Sequence, residues 1–335
     1  MKLLLCLALI LVGPVVRAQE CVQAVPVNVV DEKTGRAVSV DTAAFHASLG
    51  QMPLAIRSIE PIHTRRVLVL VEQSGRVAAA SDWTGSYDLS AMRAVFHVLD
   101  EWLGELPCDV SVEYGLFDDE ALFSESFKSD QRLIRQDIAA VNERFNRIGH
   151  FRTIVYDALG QGLNRFQNPG KEDAVLLVSY GVDRSSHQSI KGLEKEFRAS
   201  GVRLFVTLLK SRTVEPHQLG KQDTLDTITQ APELAQQESL AALAQRTGGS
   251  VHVVDAANAV WAFKGPAKAA SAEIKKFWNE SLLNGYLLQV QVPATLSTEQ
   301  KWTLSLNRGT DSRLKNAKVT YGDRLLPCAA STASR

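Results

Sequence analysis

Residues 67–71 read Val-Leu-Val-Leu-Val, an uninterrupted apolar run with no polar face to turn toward water. A strand of that kind is covered on both sides, which is the condition inside a parallel sheet packed between helices. Ala174 to Val178 is another continuous apolar run, and Val110 to Phe117, Val202 to Leu209 and Val251 to Val254 also read as strands. Between them, Leu89, Met92, Phe96, Leu99 and Leu103 recur at helical spacing, as do Ile134, Ile138, Val141, Phe145 and Ile148. Thr153 to Phe166, Ile190 to Ala199 and Leu240 to Ala244 complete the helical series, the last stopped by Gly248-Gly249. Alternation of this kind predicts an α/β fold: a doubly wound, mostly parallel sheet with helices on both faces.

In such a sheet, binding and chemistry collect in the loops that leave the carboxyl ends of the strands. Those loops begin at Glu72, Gln73, Ser74, Gly75 and Arg76 after the first run, and at Ser179-Tyr180-Gly181-Val182-Asp183 after Val178. Ser211 to Gln237 leaves a strand at the same edge and reads as a polar, mobile loop. Asp118-Asp119-Glu120 reads as the solvated tip of a hairpin between Val110 to Phe117 and Ala121 to Phe127. Asp157 is expected to serve a helix start.

The two ends of the chain look different. Ala24 to Val30, Ala37 to Val40 and Leu54 to Ile59 are short extended pieces, and Tyr286 to Val292 and Trp302 to Leu306 alternate like a half-exposed antiparallel pair. They are expected to join into one small accessory β unit formed by the chain ends. A helix carrying Ile274, Phe277, Leu282 and Leu283 leads into the second set.

Lys2, the apolar run Leu3 to Val12 and Val16-Arg17-Ala18 have the form of a secretory signal over residues 1–18. Periplasmic or extracellular residence follows as the expectation. Of 37 basic and 37 acidic residues, Lys2 and Arg17 fall in that segment, so the remainder stands at 35 against 37, or −2. That balance offers no electrostatic reason to expect nucleic acid or an anionic membrane as partner, and no further stretch is apolar enough to span a bilayer. Cys21 and Cys328 bracket the rest of the chain and are the favoured disulfide pair in an oxidising compartment. Cys108, beside Pro107 at a strand start, is expected to be a buried free thiol.

The ordered segments resemble the von Willebrand factor A domain, and more narrowly the related proteins secreted by bacteria. Val67-Leu68-Val69-Leu70-Val71-Glu72-Gln73-Ser74-Gly75-Arg76 is similar to the strand followed by Asp-x-Ser-x-Ser; Thr153-Ile154-Val155-Tyr156-Asp157-Ala158-Leu159 to the threonine loop; and Val175 to Asp183 to the strand ending in Asp-Gly. Leu243 to Gly249, Asn284 to Leu288 and Val27-Asn28-Val29-Val30-Asp31 resemble further signatures of the bacterial group. The resemblance implies a core over residues 65–264, flanked by a 19–64 β segment, a 265–328 helix-and-strand segment and a 329–335 tail.

It also implies a divalent-ion site, usually for magnesium, whose ion receives an acidic group from a protein partner. Here the ligand set is altered: Glu72 stands for the first aspartate, Ser74 and Thr153 are kept, Arg76 replaces the second serine and Tyr180 the later aspartate. Magnesium demands near-octahedral oxygen geometry, and Glu72 is a methylene too long while Arg76 brings positive charge. The expectation is therefore a metal-free site, with Glu72, Ser74 and Thr153 the residual ligand candidates for a weakly held Mg2+. Arg76, Glu72, Ser74, Trp83 and Tyr180 are the candidates for contacting a partner, with Arg76 placed to receive an acidic side chain or to pair internally with Glu72. No nucleophile, base, zinc or phosphate-loop motif is present, and the histidines are scattered. A non-catalytic protein-interaction module of adhesion or scaffold type is the expected function; a weakly metal-dependent adhesion module and a structural envelope protein are the alternatives.

Overall fold

The computed structural model describes residues 21–33, 36–73, 90–145, 152–210, 224–255, 266–309 and 311–328. The α/β sheet contains β4 (Arg66–Glu72), β5 (Ser111–Phe117), β6 (Ala121–Phe123), β7 (Asp173–Ser179), β8 (Arg203–Lys210) and β9 (Val251–Asp255), in the order β6-β5-β4-β7-β8-β9. All neighbours are parallel except the edge strand β6, which returns antiparallel to β5. Strand order reverses at β4, so the switch point of this doubly wound sheet lies between the carboxyl ends of β4 and β7.

Alternation along β4 explains why it is apolar throughout. Val67, Val69 and Val71 enter one core, with Val98, Leu99 and Trp102 of α1 (Ser90–Leu103) and Ile134 and Val141 of α2 (Gln131–Arg144). Leu68 and Leu70 enter the other, with Ala158 and Leu159 of α3 (Val155–Leu163), Leu193 and Phe197 of α4 (Ile190–Ser200) and Leu240 and Leu243 of α5 (Thr224–Arg246). Each of the Val, Leu, Ile and Phe side chains among them, removed from water, contributes about 1.5–3 kcal/mol before entropy is counted.

Helix ends follow local chemistry. Asp130 caps α2 through the N–H groups of Arg132 and Leu133, and Ser189 caps α4 through Gly192. α5 stops where Gly248 takes φ +79°, and a Cβ on Gly249 would collide with the Leu204 carbonyl oxygen. α6 (Pro266–Phe277) runs into a π-helical turn, Trp278–Leu282.

The second unit is an antiparallel sheet of β1 (Cys21–Asp31), β2 (Phe45–Leu49), β3 (Met52–His63), β10 (Asn284–Val292), β12 (Thr303–Leu306) and β13 (Ala317–Tyr321), ordered β12-β2-β3-β10-β1-β13. β11 (Gln300–Lys301) and β14 (Arg324–Leu325) form a separate ladder. β1 pairs with β10 from Cys21↔Val292 to Val27↔Tyr286, so the chain ends build one sheet. Cys21 and Cys328 are disulfide-bonded with their Cα atoms 6.0 Å apart.

Four expectations are corrected. β10 and β12 are not a pair: β12 joins β2, and β3 separates β2 from β10, because the register of β10 is taken on both sides by β1 and β3. Residues 224–237 are helical rather than a loop, since α5 begins at Thr224, well before the expected helix at Leu240; residues 211–223 lie outside the described residues. Cys108 is exposed, because it sits in the turn before β5 rather than within the strand. Asp118 is fully buried, while Asp119 and Glu120 are exposed, because its carboxylate folds back on the hairpin it begins.

Candidate functional site

The switch point is bridged by a side chain. Glu72, at the end of β4 and 1% exposed, accepts a hydrogen bond from the Ser179 hydroxyl at 2.5 Å and another from the Tyr180 backbone N–H at 2.9 Å. Ser179 Oγ in turn accepts from the Gly181 N–H at 2.7 Å. The carboxylate thus spans the mouth between β4 and β7 and holds the β7 loop by its first residues. An aspartate here would be one methylene shorter across the same gap.

Thr153, 1% exposed, donates its hydroxyl to the Val182 carbonyl at 2.5 Å. Its own carbonyl accepts from the N–H groups of Arg184 and Ser185. The threonine loop and the β7 loop are therefore locked together, with the hydroxyl directed to a backbone acceptor. Behind them, α3 lacks a side-chain cap at Ile154, and the β7 loop supplies one. Ser186 Oγ accepts from the Tyr156 and Asp157 N–H groups at 3.1 and 3.0 Å, while the Asp157 carboxylate accepts from those of His187 and Gln188 at 2.9 and 2.8 Å. Burial acts to raise the Asp157 carboxyl, but these bonds prevail and hold it below its usual value.

α5 covers the same loop from outside. Gln237 donates to the Tyr180 carbonyl at 2.7 Å, Gln236 accepts from the Asp183 N–H at 2.8 Å, and Arg184 pairs with Glu233 at 2.7 Å. The Tyr180 hydroxyl reaches Glu233 at 3.3 Å. Composition hid this brace: the run Gln236-Gln237-Glu238-Ser239 is polar, and only the Leu240 and Leu243 spacing marked a helix there.

On the other flank, the Gln73 N–H donates to the Phe117 carbonyl and the Ile154 N–H to that of Asp118. Asp118 Oδ1 accepts from the Asp119 and Glu120 N–H groups, and Oδ2 is buried without a hydrogen-bond partner. Burial, with Asp119 adding to it, pushes the Asp118 carboxyl up to about 6 against the two N–H bonds.

The structure brings Glu72, Thr153 and Tyr180 to one edge, through the β7 loop. Ser74, Arg76 and Trp83, the other candidates, lie outside the described residues. Among the described residues no cluster of three or more histidine, cysteine or acidic side chains is placed to hold a metal ion, and no helix is long and apolar enough to cross a membrane.

No protein-family model matches the chain, and no curated protein does. Solved structures similar to it include a von Willebrand factor type A protein from Catenulispora acidiphila, at 13% identity over 88% of this chain and 76% of that one, with a TM-score of 0.41. The conserved hypothetical protein BatB from Bacteroides thetaiotaomicron is similar at 12% identity, covering 64% of this chain and 98% of that one, TM-score 0.40. The VWA domain of SpRpn10 is similar at 10% identity, covering 57% and 87%, TM-score 0.36. The doubly wound α/β architecture itself rests on the strand order and directions above, and it is the one that the resemblance to von Willebrand factor A domains implies.

Proposed function

We propose that this chain is an exported, non-catalytic protein-interaction module that presents the carboxyl-edge loops of its α/β domain without a bound metal. One observation carries the reading: Glu72, in the place of the first metal-binding aspartate, directs its carboxylate to Ser179 and the Tyr180 N–H across the switch point. That arrangement does the mechanical work of an ion, tying the end of β4 to the β7 loop, and engages one carboxylate oxygen, Oε2, to do it. Thr153 adds to the same tie, since its hydroxyl donates to the Val182 carbonyl and joins the threonine loop to the β7 loop. Glu72 is a methylene longer than the aspartate that an octahedral magnesium site of this family takes, and no step of the function is routed through an ion. The Cys21–Cys328 disulfide supports residence in an oxidising compartment.

With the β7 loop held to the end of β4 and to Thr153, that part of the face is preorganised, and a partner would lose little entropy in ordering it. Candidate contacts are Tyr180 and, from the sequence, Arg76, Ser74 and Trp83. Calorimetry of the exported chain with magnesium and manganese tests the metal-free state: no saturable heat is expected. For the interaction face, crosslinking in the native envelope with wild type and Tyr180→Ala is the measurement. Loss of a discrete crosslinked species in the variant is the expected result; an unchanged pattern would move the interaction elsewhere on the protein.

A further inference from the structure

A second concave site lies away from the carboxyl edge, where the two units meet. A cavity of about 520 Å³ is walled by the outer face of the antiparallel sheet, the edge strand β9 and the end of α6. Ligand sites of this size, about 300–1,000 Å³, occur preferentially at such junctions.

Its chemistry is of two signs. Lys318 and Thr320 alternate with the buried Ala317 on β13, so both stand on the sheet's outer face, where Val30 lies beside Lys318 in the β1 register. Opposite them, Glu273, Lys276 and Phe277 occupy one face of α6 at helical spacing. His252 of β9 stacks on Phe277, ring centroids 5.3 Å apart and 23° between planes, giving the cavity an apolar floor. Three lysines (Lys33, Lys276, Lys318) and three acids (Asp31, Glu32, Glu273) line the same space. No salt bridge among the described residues joins Lys276 or Lys318 to Glu32 or Glu273. Ser250 Oγ and Thr320 Oγ1, from opposite walls, are buried without a hydrogen-bond partner, and a buried hydroxyl in a native protein ordinarily has one.

A simple anion would meet three carboxylates here, and a simple cation three ammonium groups. Separated charges of both signs around an apolar floor are complementary to a molecule that carries both. We propose that this junction binds a zwitterion of short-peptide size. Its carboxylate faces Lys276 and Lys318, its ammonium faces Glu273, and its stem lies on the His252–Phe277 stack. Such a ligand would touch both units and stabilise their relative placement.

Trialanine is the probe, titrated calorimetrically into the full exported chain beside N-acetyl-trialanine, trialanine amide and inorganic phosphate. Saturable binding of free trialanine is expected, weakened at least tenfold by either cap. Lys318→Ala and Glu273→Ala alter exposed positions, and an unchanged melting temperature confirms that each variant folds. Lys318→Ala should bind the amide as well as the free acid, and Glu273→Ala the acetylated form as well as the free amine. Absence of saturable binding up to millimolar peptide overturns the proposal. So does equal binding of the capped forms by wild type, or phosphate binding as tight as that of trialanine, which would mark an anion site alone.

Discussion

Arg203 Nη2 donates to the hydroxyl of Thr64 at 2.5 Å, and that hydroxyl donates onward to the Leu282 carbonyl at 2.6 Å. One buried guanidinium, 1% exposed at the start of β8, thereby ties the α/β sheet to the segment between β3 and β4 and to the turn before β10. Its Nε also reaches the Lys171 carbonyl at 3.2 Å. Burial lowers the Arg203 pKa to about 10 against the pull of Asp173, leaving it charged at neutral pH and in need of every acceptor. Thr64→Val keeps the shape and removes the acceptor. It is expected to cost about 1–3 kcal/mol, since a hydrogen bond to a charged, buried group is lost; urea denaturation measures it.

Removing the Glu72 bridge should loosen the carboxyl edge without unfolding the sheet. Ser179→Ala deletes one of its two described donors and is expected to cost about 1–2 kcal/mol. Hydrogen exchange should quicken at the Gly181 N–H, which donates to Ser179 Oγ, while the β4 and β8 amides remain protected. Equal acceleration throughout the sheet would contradict a local role.

The Asp118 carboxyl has a folded-state value of about 6 against an ordinary 3.8. As pH rises past 3.8, the unfolded chain releases this proton before the folded one does, so the group's contribution to stability falls until about 6 and is level above. The corresponding ceiling is roughly 3 kcal/mol. Asp118→Asn retains the Oδ1 acceptor and abolishes the titration. The variant is expected to gain about 1–3 kcal/mol over wild type at neutral pH and to match it more closely in acid, as thermal melts across that range would show.

Cysteine chemistry separates cleanly. Cys21 and Cys328, 307 residues apart in sequence, close nearly the whole described chain. The double substitution Cys21→Ser with Cys328→Ser should cost about 2–5 kcal/mol, through the greater freedom of the unfolded chain. Cys108 is exposed, so the native exported chain should titrate one thiol rapidly with a maleimide. Slow labelling that awaits denaturant would show that thiol to be buried.

Much of the architecture was legible because it follows from local pattern. Val67 to Val71 carries no polar residue, and only a strand packed on both faces can place it. Helical spacing marked α1 to α4 for the same reason, and the chain ends announced a β unit by alternation. Pairing was not legible: the alternation of β10 and β12 is identical in kind, and the choice of β1 and β3 as neighbours for β10 depends on contacts distant in sequence. The polar stretch Gln236 to Ser239 within α5 has little helical signal because Gln236 and Gln237 serve the β7 loop rather than the core.

At the site, sequence by itself determined which residue types stand at the carboxyl edge, and so that Glu72 and Tyr180 depart from the metal-binding set that the resemblance implies. Tertiary structure alone decided what those residues do. Reach explains the difference: a glutamate's extra methylene is a defect when measured against an ion, and becomes a bridge only when the Ser179 hydroxyl and Tyr180 N–H arrive from a strand 107 residues away.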